Sequence, residues 1–151
     1  MFNLFYKYSH HFYLPSIVYN SIIESYNGLS SSTLSEFLLK KGILVIEKQI
    51  SLQGSNTYAK LVNIKFKKEE EKNSLIDFLK QHKELFPPWK VFPDMFQGSP
   101  RWNQGIEEDY SVNNWLPFWK GLDNNQRNSY MKKYSCPLEW KSWLLENEKL
   151  L

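Results

Sequence analysis

The residues that could do chemistry here are few, and their spacing does not assemble a reaction centre. The three histidines are His10, His11 and His82. His10 and His11 are adjacent, so in a strand their side chains diverge, and His82 falls on the apolar stripe of a predicted helix. No H-x-x-H, H-E-x-x-H or mixed His/Cys spacing occurs, so no metal ligand set is expected. Cys136 is the one cysteine, which excludes an internal disulfide and a thiolate cluster. It precedes Pro137 at a predicted helix start, where a thiolate could be favoured, but a small buried residue beside a helix junction is the plainer expectation. Glycines are scattered at turns and form no phosphate-cradling loop. Glu69, Glu70 and Glu71 are consecutive, diverge on a helix and suit its positive N-terminal end. The sequence thus predicts no catalytic residue, no cofactor and no enzyme activity.

Binding chemistry is better represented. All six tryptophans lie between Trp89 and Trp143. Trp119, Trp140 and Trp143 fall on helical stripes and are expected in a core. Trp89, Trp102 and Trp115 lie on or beside predicted loops, where an indole with one polar edge often anchors a partner. A second acidic run, Glu107, Glu108 and Asp109, sits among them. The combination predicts a partner-binding face made of Trp102, Glu107, Glu108, Asp109, Tyr110 and Trp115, in which carboxylates beside rigid aromatics meet a basic protein surface.

Composition narrows the class. Aromatic residues make up 17% of the 151, too many for a disordered chain. The net charge of +3 is mild and resides in the first 88 residues, which hold 11 Lys and no Arg against 8 acids. Only Arg101 and Arg127 interrupt an otherwise all-lysine basic set, and bidentate recognition of phosphate or guanine favours Arg, so nucleic acid is disfavoured as a partner. Ala59 is the only alanine, while Lys, Asn, Ile, Phe and Tyr abound, the bias of an AT-rich gene. No segment approaches the ~20 apolar residues of a membrane span, and the aromatic N-terminus lacks the parts of a signal peptide. A cytoplasmic protein without a membrane partner is expected.

The elements that must position these residues read as follows. Residues 2–13 alternate weakly as a strand. Pro15 opens a helix with Tyr19, Ile22, Ile23 and Tyr26 on one stripe, stopped by Gly28. Thr33 and Glu36 suggest a capping box for a short helix over 33–41, closed by Gly42. Residues 43–52 and 57–66 flank a Gly-Ser-Asn turn and predict a β-hairpin. Leu75, Phe78, Leu79, His82 and Leu85 mark a helix that ends before Pro87 and Pro88. Residues 87–104 form a proline- and aromatic-rich loop. Asp109 or Ser111 is expected to cap a helix bearing Trp115 and Trp119, but Pro117 sits awkwardly inside it, so that helix either starts near Leu116 or is kinked. Asp123 caps 124–134, and Pro137 begins a last helix with Trp140, Trp143 and Leu144 inward. The expected fold is α+β: a small antiparallel sheet including a central hairpin (43–52 and 57–66), covered by helices, with a Trp-rich helical C-terminal region. A single domain over 1–151 is expected, with possible lobes 1–86 and 87–151.

In size, single-domain character, AT-biased composition, lack of a catalytic set, and the aromatic and acidic segment RWNQGIEEDYSVNNW (101–115), the chain resembles the small immunity proteins of bacterial contact-dependent growth inhibition and related polymorphic toxin systems. That resemblance implies a one-to-one complex with a cognate toxin domain, usually a nuclease, whose active site or substrate-binding face is blocked. The competing expectation rests on element order. Helix 16–26, helix 33–41 and hairpin 43–66 follow one another as a helix-turn-helix and wing would, with Ser32, Thr33, Ser35, Lys40 and Lys41 as groove contacts and Lys48, Lys60 and Lys65 on the wing.

Overall fold

The computed structural model describes residues 5–95 and 105–147. It divides the chain into two compact units, Met1–Glu84 and Leu85–Leu151. The fold is α+β: a three-stranded antiparallel sheet belongs to the first unit, and the second is helical and tryptophan-rich.

The first unit opens with β1 (Tyr8–Tyr13), then α1 (Ser16–Tyr26) and α2 (Ser31–Lys40). A single 3₁₀ turn at Glu47–Gln49 leads into β2 (Ile50–Gln53), followed by β3 (Leu61–Phe66) and α3 (Glu69–Gln81). The sheet order is β1-β3-β2. Register places His10 opposite Ile64 and Ile64 opposite Ile50, with Phe12, Val62 and Leu52 forming the next row. Residues directly opposite share a face, so Val62, Ile64 and Phe66 of the central strand point into the core with their neighbours. Val18 and Ile22 from α1, Leu34 and Leu38 from α2, and Leu75 from α3 cover that face.

Local chemistry explains the helix ends, and in several places differs from expectation; α3 ends at Gln81, so His82 and Leu85 of its expected stripe lie beyond the helix. Helix α1 stops because Asn27, not Gly28, adopts the left-handed conformation at φ 57°; Asn tolerates it through its short polar side chain. Helix α2 starts earlier than expected. Ser30 is the N-cap, and its hydroxyl accepts from Thr33 N–H at 3.1 Å while Thr33 Oγ1 accepts from Ser30 N–H at 2.9 Å. The capping box is therefore Ser30 with Thr33 rather than Thr33 with Glu36. Gly42, at φ 82°, does close that helix. The hairpin is shorter than 43–52 and 57–66, since pairing is confined to 50–53 and 61–64. Residues 43–46 lie outside the sheet because Ile43 N–H bonds back to Leu38 O and the 3₁₀ turn intervenes.

The second unit contains α4 (Pro88–Val91), α5 (Gly105–Tyr110), α6 (Leu116–Lys120), α7 (Asn124–Lys133) and α8 (Leu138–Glu146). Between α5 and α6 the backbone stays helical through a π turn at Ser111–Trp115, in which Leu116 N–H bonds Ser111 O. Neither Asp109 nor Ser111 caps a new helix. Proline at 117 has no N–H for the carbonyl four residues before it, and the wider turn takes up that interruption without breaking the helix. Asp123 caps α7 as expected, its carboxylate accepting from Gln126 N–H at 2.8 Å.

Among the described residues, no helix is long and apolar enough to cross a membrane.

Candidate functional site

The tryptophans build a core, and they do so through their polar edges as well as their faces. Trp115 is 0% exposed. It stacks on Trp119 with ring centroids 5.5 Å apart and meets Trp89 edge-on at 6.0 Å. Trp89 continues to Trp140 at 5.6 Å, and Trp140 to Trp143 at 5.9 Å. Each such pair contributes about 0.5–1.5 kcal/mol beyond the area it buries. The indole N–H of Trp115 donates to the Tyr130 hydroxyl at 3.0 Å, and that of Trp89 donates to Tyr134 O at 2.9 Å. The Tyr130 hydroxyl donates to Leu85 O, and the Tyr110 hydroxyl to Phe86 O at 2.8 Å. The polar handles of four aromatic rings thus satisfy one another and the backbone carbonyls of residues 85, 86 and 134, which would be costly to bury alone.

This burial corrects part of the expected partner-binding face. Tyr110 and Trp115 are both 0% exposed and offer no surface to a partner. Trp89, the other loop-adjacent tryptophan, is buried as well. The reason is the π turn: it keeps 105–120 helical, so Trp115 lies on the same inward side as Trp119 instead of beside a loop. Glu107, Glu108 and Asp109 remain partly exposed on α5. Asn114 Nδ2 donates to Asp109 O at 2.7 Å, which ties the end of the acidic run to the π turn. Trp102 lies outside the described residues. What stands is an acidic helix fixed at one end by the buried Tyr110.

The alternative surface, α2 and the hairpin, is also assembled in part. Helices α1 and α2 lie in sequence between β1 and β2, and the β2–β3 hairpin follows α2. Two of the three hydroxyls expected to contact nucleic acid, those of Thr33 and Ser35, are otherwise engaged. Thr33 is consumed by the cap, and Ser35 Oγ donates to Val45 O. Lys40 lies over the Tyr26 ring at 5.1 Å, and the tyrosine's hydrogen bond and charge raise the lysine pKa. Lys41 lies over Phe37 at 5.5 Å. In the hairpin, Lys60 Nζ donates to Gly54 O at 2.6 Å. Lys65 is half-buried on β3, and Lys48 is exposed on the 3₁₀ turn. Ser32 is half-exposed, and the exposed positions of α2 also include Glu36 and Leu39, an acid and an apolar residue.

Sequence reasoning overlooked one surface feature. Leu39, Leu44 and Ile46 are 56%, 69% and 44% exposed, an apolar set at and beyond the end of α2. Its signal was present in the alternation of Ile43 to Ile46, which read as a paired strand.

The remaining reactive groups are quiet. Burial pushes the Cys136 thiol up to about 11, against a small opposing pull from Lys141, so the thiolate is disfavoured at neutral pH. His10 stacks on Phe12 at 5.7 Å, and burial, with the nearby Lys72 and His11 charges, lowers its pKa. Among the described residues, no three His, Cys, Asp or Glu side chains converge as a metal site would require.

Compared with protein-family models, with characterised proteins and with solved structures, the chain shows no match.

Proposed function

We propose that this chain is a toxin-neutralising immunity protein, which binds a cognate toxin domain one-to-one and blocks its active site or substrate-binding face. The observation supporting this reading is the acidic helix α5, whose partly exposed Glu107, Glu108 and Asp109 run directly into the fully buried Tyr110. A charged surface already fixed to an aromatic core loses little freedom on binding, so more of its electrostatic complementarity appears as affinity. The basic cleft of a nuclease is the complementary partner. With Tyr110 and Trp115 in the core, the carboxylates carry the recognition, and apolar anchoring falls to other residues.

The test is co-expression with the protein encoded immediately upstream. A stable one-to-one complex by size exclusion with light scattering is expected. Reversing charge at Glu107→Lys with Glu108→Lys should weaken it by about tenfold or more without lowering the melting temperature. No complex would remove the reading; a complex of unchanged affinity would remove the acidic helix from it.

A second reading, a winged-helix-like nucleic-acid-binding protein, is favoured by one observation: the β1-β3-β2 sheet with α1 and α2 inserted before the β2–β3 hairpin. The engaged hydroxyls of Thr33 and Ser35, the exposed Glu36, and the absence of Arg from residues 1–88 weigh against it. Binding to duplex DNA that falls steeply with added salt, and is lost in Lys40→Ala with Lys60→Ala, would support this reading over the first.

A further inference from the structure

Residues 43–46, Ile-Leu-Val-Ile, are a strand-like segment without a partner strand among the described residues. Burial alternates along them: Ile43 and Val45 belong to the core, while Leu44 and Ile46 are 69% and 44% exposed. That is the two-residue period of an extended chain. The backbone of an extended chain directs successive residues' N–H and C=O groups to opposite edges. Ile43 N–H bonds Leu38 O at 2.9 Å, and Val45 O accepts the Ser35 hydroxyl, so the odd-numbered residues face α2. Leu44 therefore directs its backbone groups away from α2, and it has no hydrogen-bond partner among the described residues. Ile46, on the same edge, is closed by Gln49: its N–H bonds Gln49 Oε1 at 3.1 Å and its C=O accepts from Gln49 N–H at 3.0 Å.

The open position borders a groove of about 390 Å³ whose walls include Tyr6, Leu44, Ile46, Lys48, Lys67 and Glu71. Lys67 Nζ lies over the Tyr6 ring at 5.8 Å. The groove thus combines apolar walls, a backbone edge unpaired among the described residues, and two ammonium groups against one carboxylate.

We propose that this edge and groove dock an extended, acidic and apolar segment of a partner protein. The segment's backbone pairs with Leu44, its apolar side chains cover Leu44 and Ile46, and a carboxylate lies beside Lys48 and Lys67. Unpaired strand edges are sites of such strand addition. Charge decides the occupant. A second copy of this chain would bring the same groove charges, Lys48 and Lys67 against Glu71, so an excess of positive charge would meet its like. A nucleic acid would use the lysines and leave Leu44 and Ile46 uncovered. This surface shares no residue with the acidic helix α5 and does not rest on the toxin-neutralising reading.

The test titrates isotope-labelled full-length protein with two short synthetic peptides, one alternating valine with glutamate and one alternating valine with lysine. With the glutamate peptide, amide shifts should concentrate at residues 43–49 and 67–74. Leu44→Glu, at an exposed position, should weaken binding by about tenfold with the fold intact. Lys48→Glu with Lys67→Glu should transfer the preference to the lysine peptide. Glu107→Lys with Glu108→Lys should bind as the wild type does, so the failure of this proposal and of the toxin reading are distinguishable. The proposal is overturned if neither peptide shifts residues 43–49, or if both bind equally. A concentration-dependent dimer abolished by Leu44→Glu would also overturn it, making the occupant a second copy.

Discussion

Trp115 and Tyr130 form the central polar contact of the second unit: the indole N–H donates to the tyrosine hydroxyl at 3.0 Å, and that hydroxyl donates onward to Leu85 O. Both side chains are buried, Trp115 completely. A single hydroxyl therefore satisfies a donor and an acceptor that water cannot reach, and bonds arranged in series reinforce one another.

Tyr130→Phe keeps the ring and removes only that hydroxyl. It should destabilise the protein by about 1–3 kcal/mol, because the Trp115 N–H and the Leu85 carbonyl each lose a partner. Chemical denaturation with tryptophan fluorescence as the readout measures this directly. A change within a few tenths of a kcal/mol would show that the chain of bonds contributes nothing net.

The first helix-capping device should show its own, smaller effect. Ser30→Ala removes the oxygen that accepts from Thr33 N–H. A loss of about 1 kcal/mol is expected, with Ser30→Asp largely restoring stability. Equal losses in both variants would mean that the cap geometry is not what matters there.

Cys136 should behave as a protected thiol. Its pKa of about 11 leaves little thiolate at pH 8. Alkylation by iodoacetamide at that pH should be about tenfold or more slower than in the urea-unfolded chain, and should accelerate as the pH approaches the thiol's own value. A native rate equal to the unfolded rate at pH 8 contradicts the burial argument.

His10 links stability to acid. The fold favours its neutral imidazole, so the folded pKa lies below the ordinary histidine value of 6.5. Between those two values the unfolded chain binds more protons, and stability therefore falls as the pH is lowered through that window. Above about 6.5 the contribution is fully present. His10→Gln should flatten the decline in melting temperature between pH 7 and pH 5 relative to the wild type. An unaltered decline would assign it to other groups.

Much of the fold was legible because its signals are local. The Asp123 cap, the Gly42 stop, Pro137 before α8, and Leu75, Phe78 and Leu79 on α3 each depend on residues within a turn or two of one another. The misplaced boundaries had local competitors of similar strength. Ser30 outcompeted Thr33 as N-cap because Thr33 could return the bond from the third helical position. Asn27 took the left-handed position one residue ahead of Gly28. In the hairpin, β-propensity alone could not say which part of 43–52 would find a partner, and the bond from Ile43 N–H to Leu38 O withdrew the first four residues from the sheet.

The candidate surfaces were less legible. Pro117 suggested a break that would leave Trp115 beside a loop, and the π turn removed that break. Exposure depends on which neighbours arrive, and those neighbours are distant in sequence: Trp115 is enclosed by Trp89, Trp119 and Tyr130. By itself the sequence determined the α+β class, the separation of a tryptophan-free first half from an aromatic second half, and the charge runs, because composition and short-range periodicity encode them. The tertiary structure alone decided that Tyr110 and Trp115 are core, that Glu107, Glu108 and Asp109 stay partly exposed, and that Leu44 has no backbone partner among the described residues. Burial and pairing are properties of contacts between remote segments, and no local pattern specifies which remote segment will supply them.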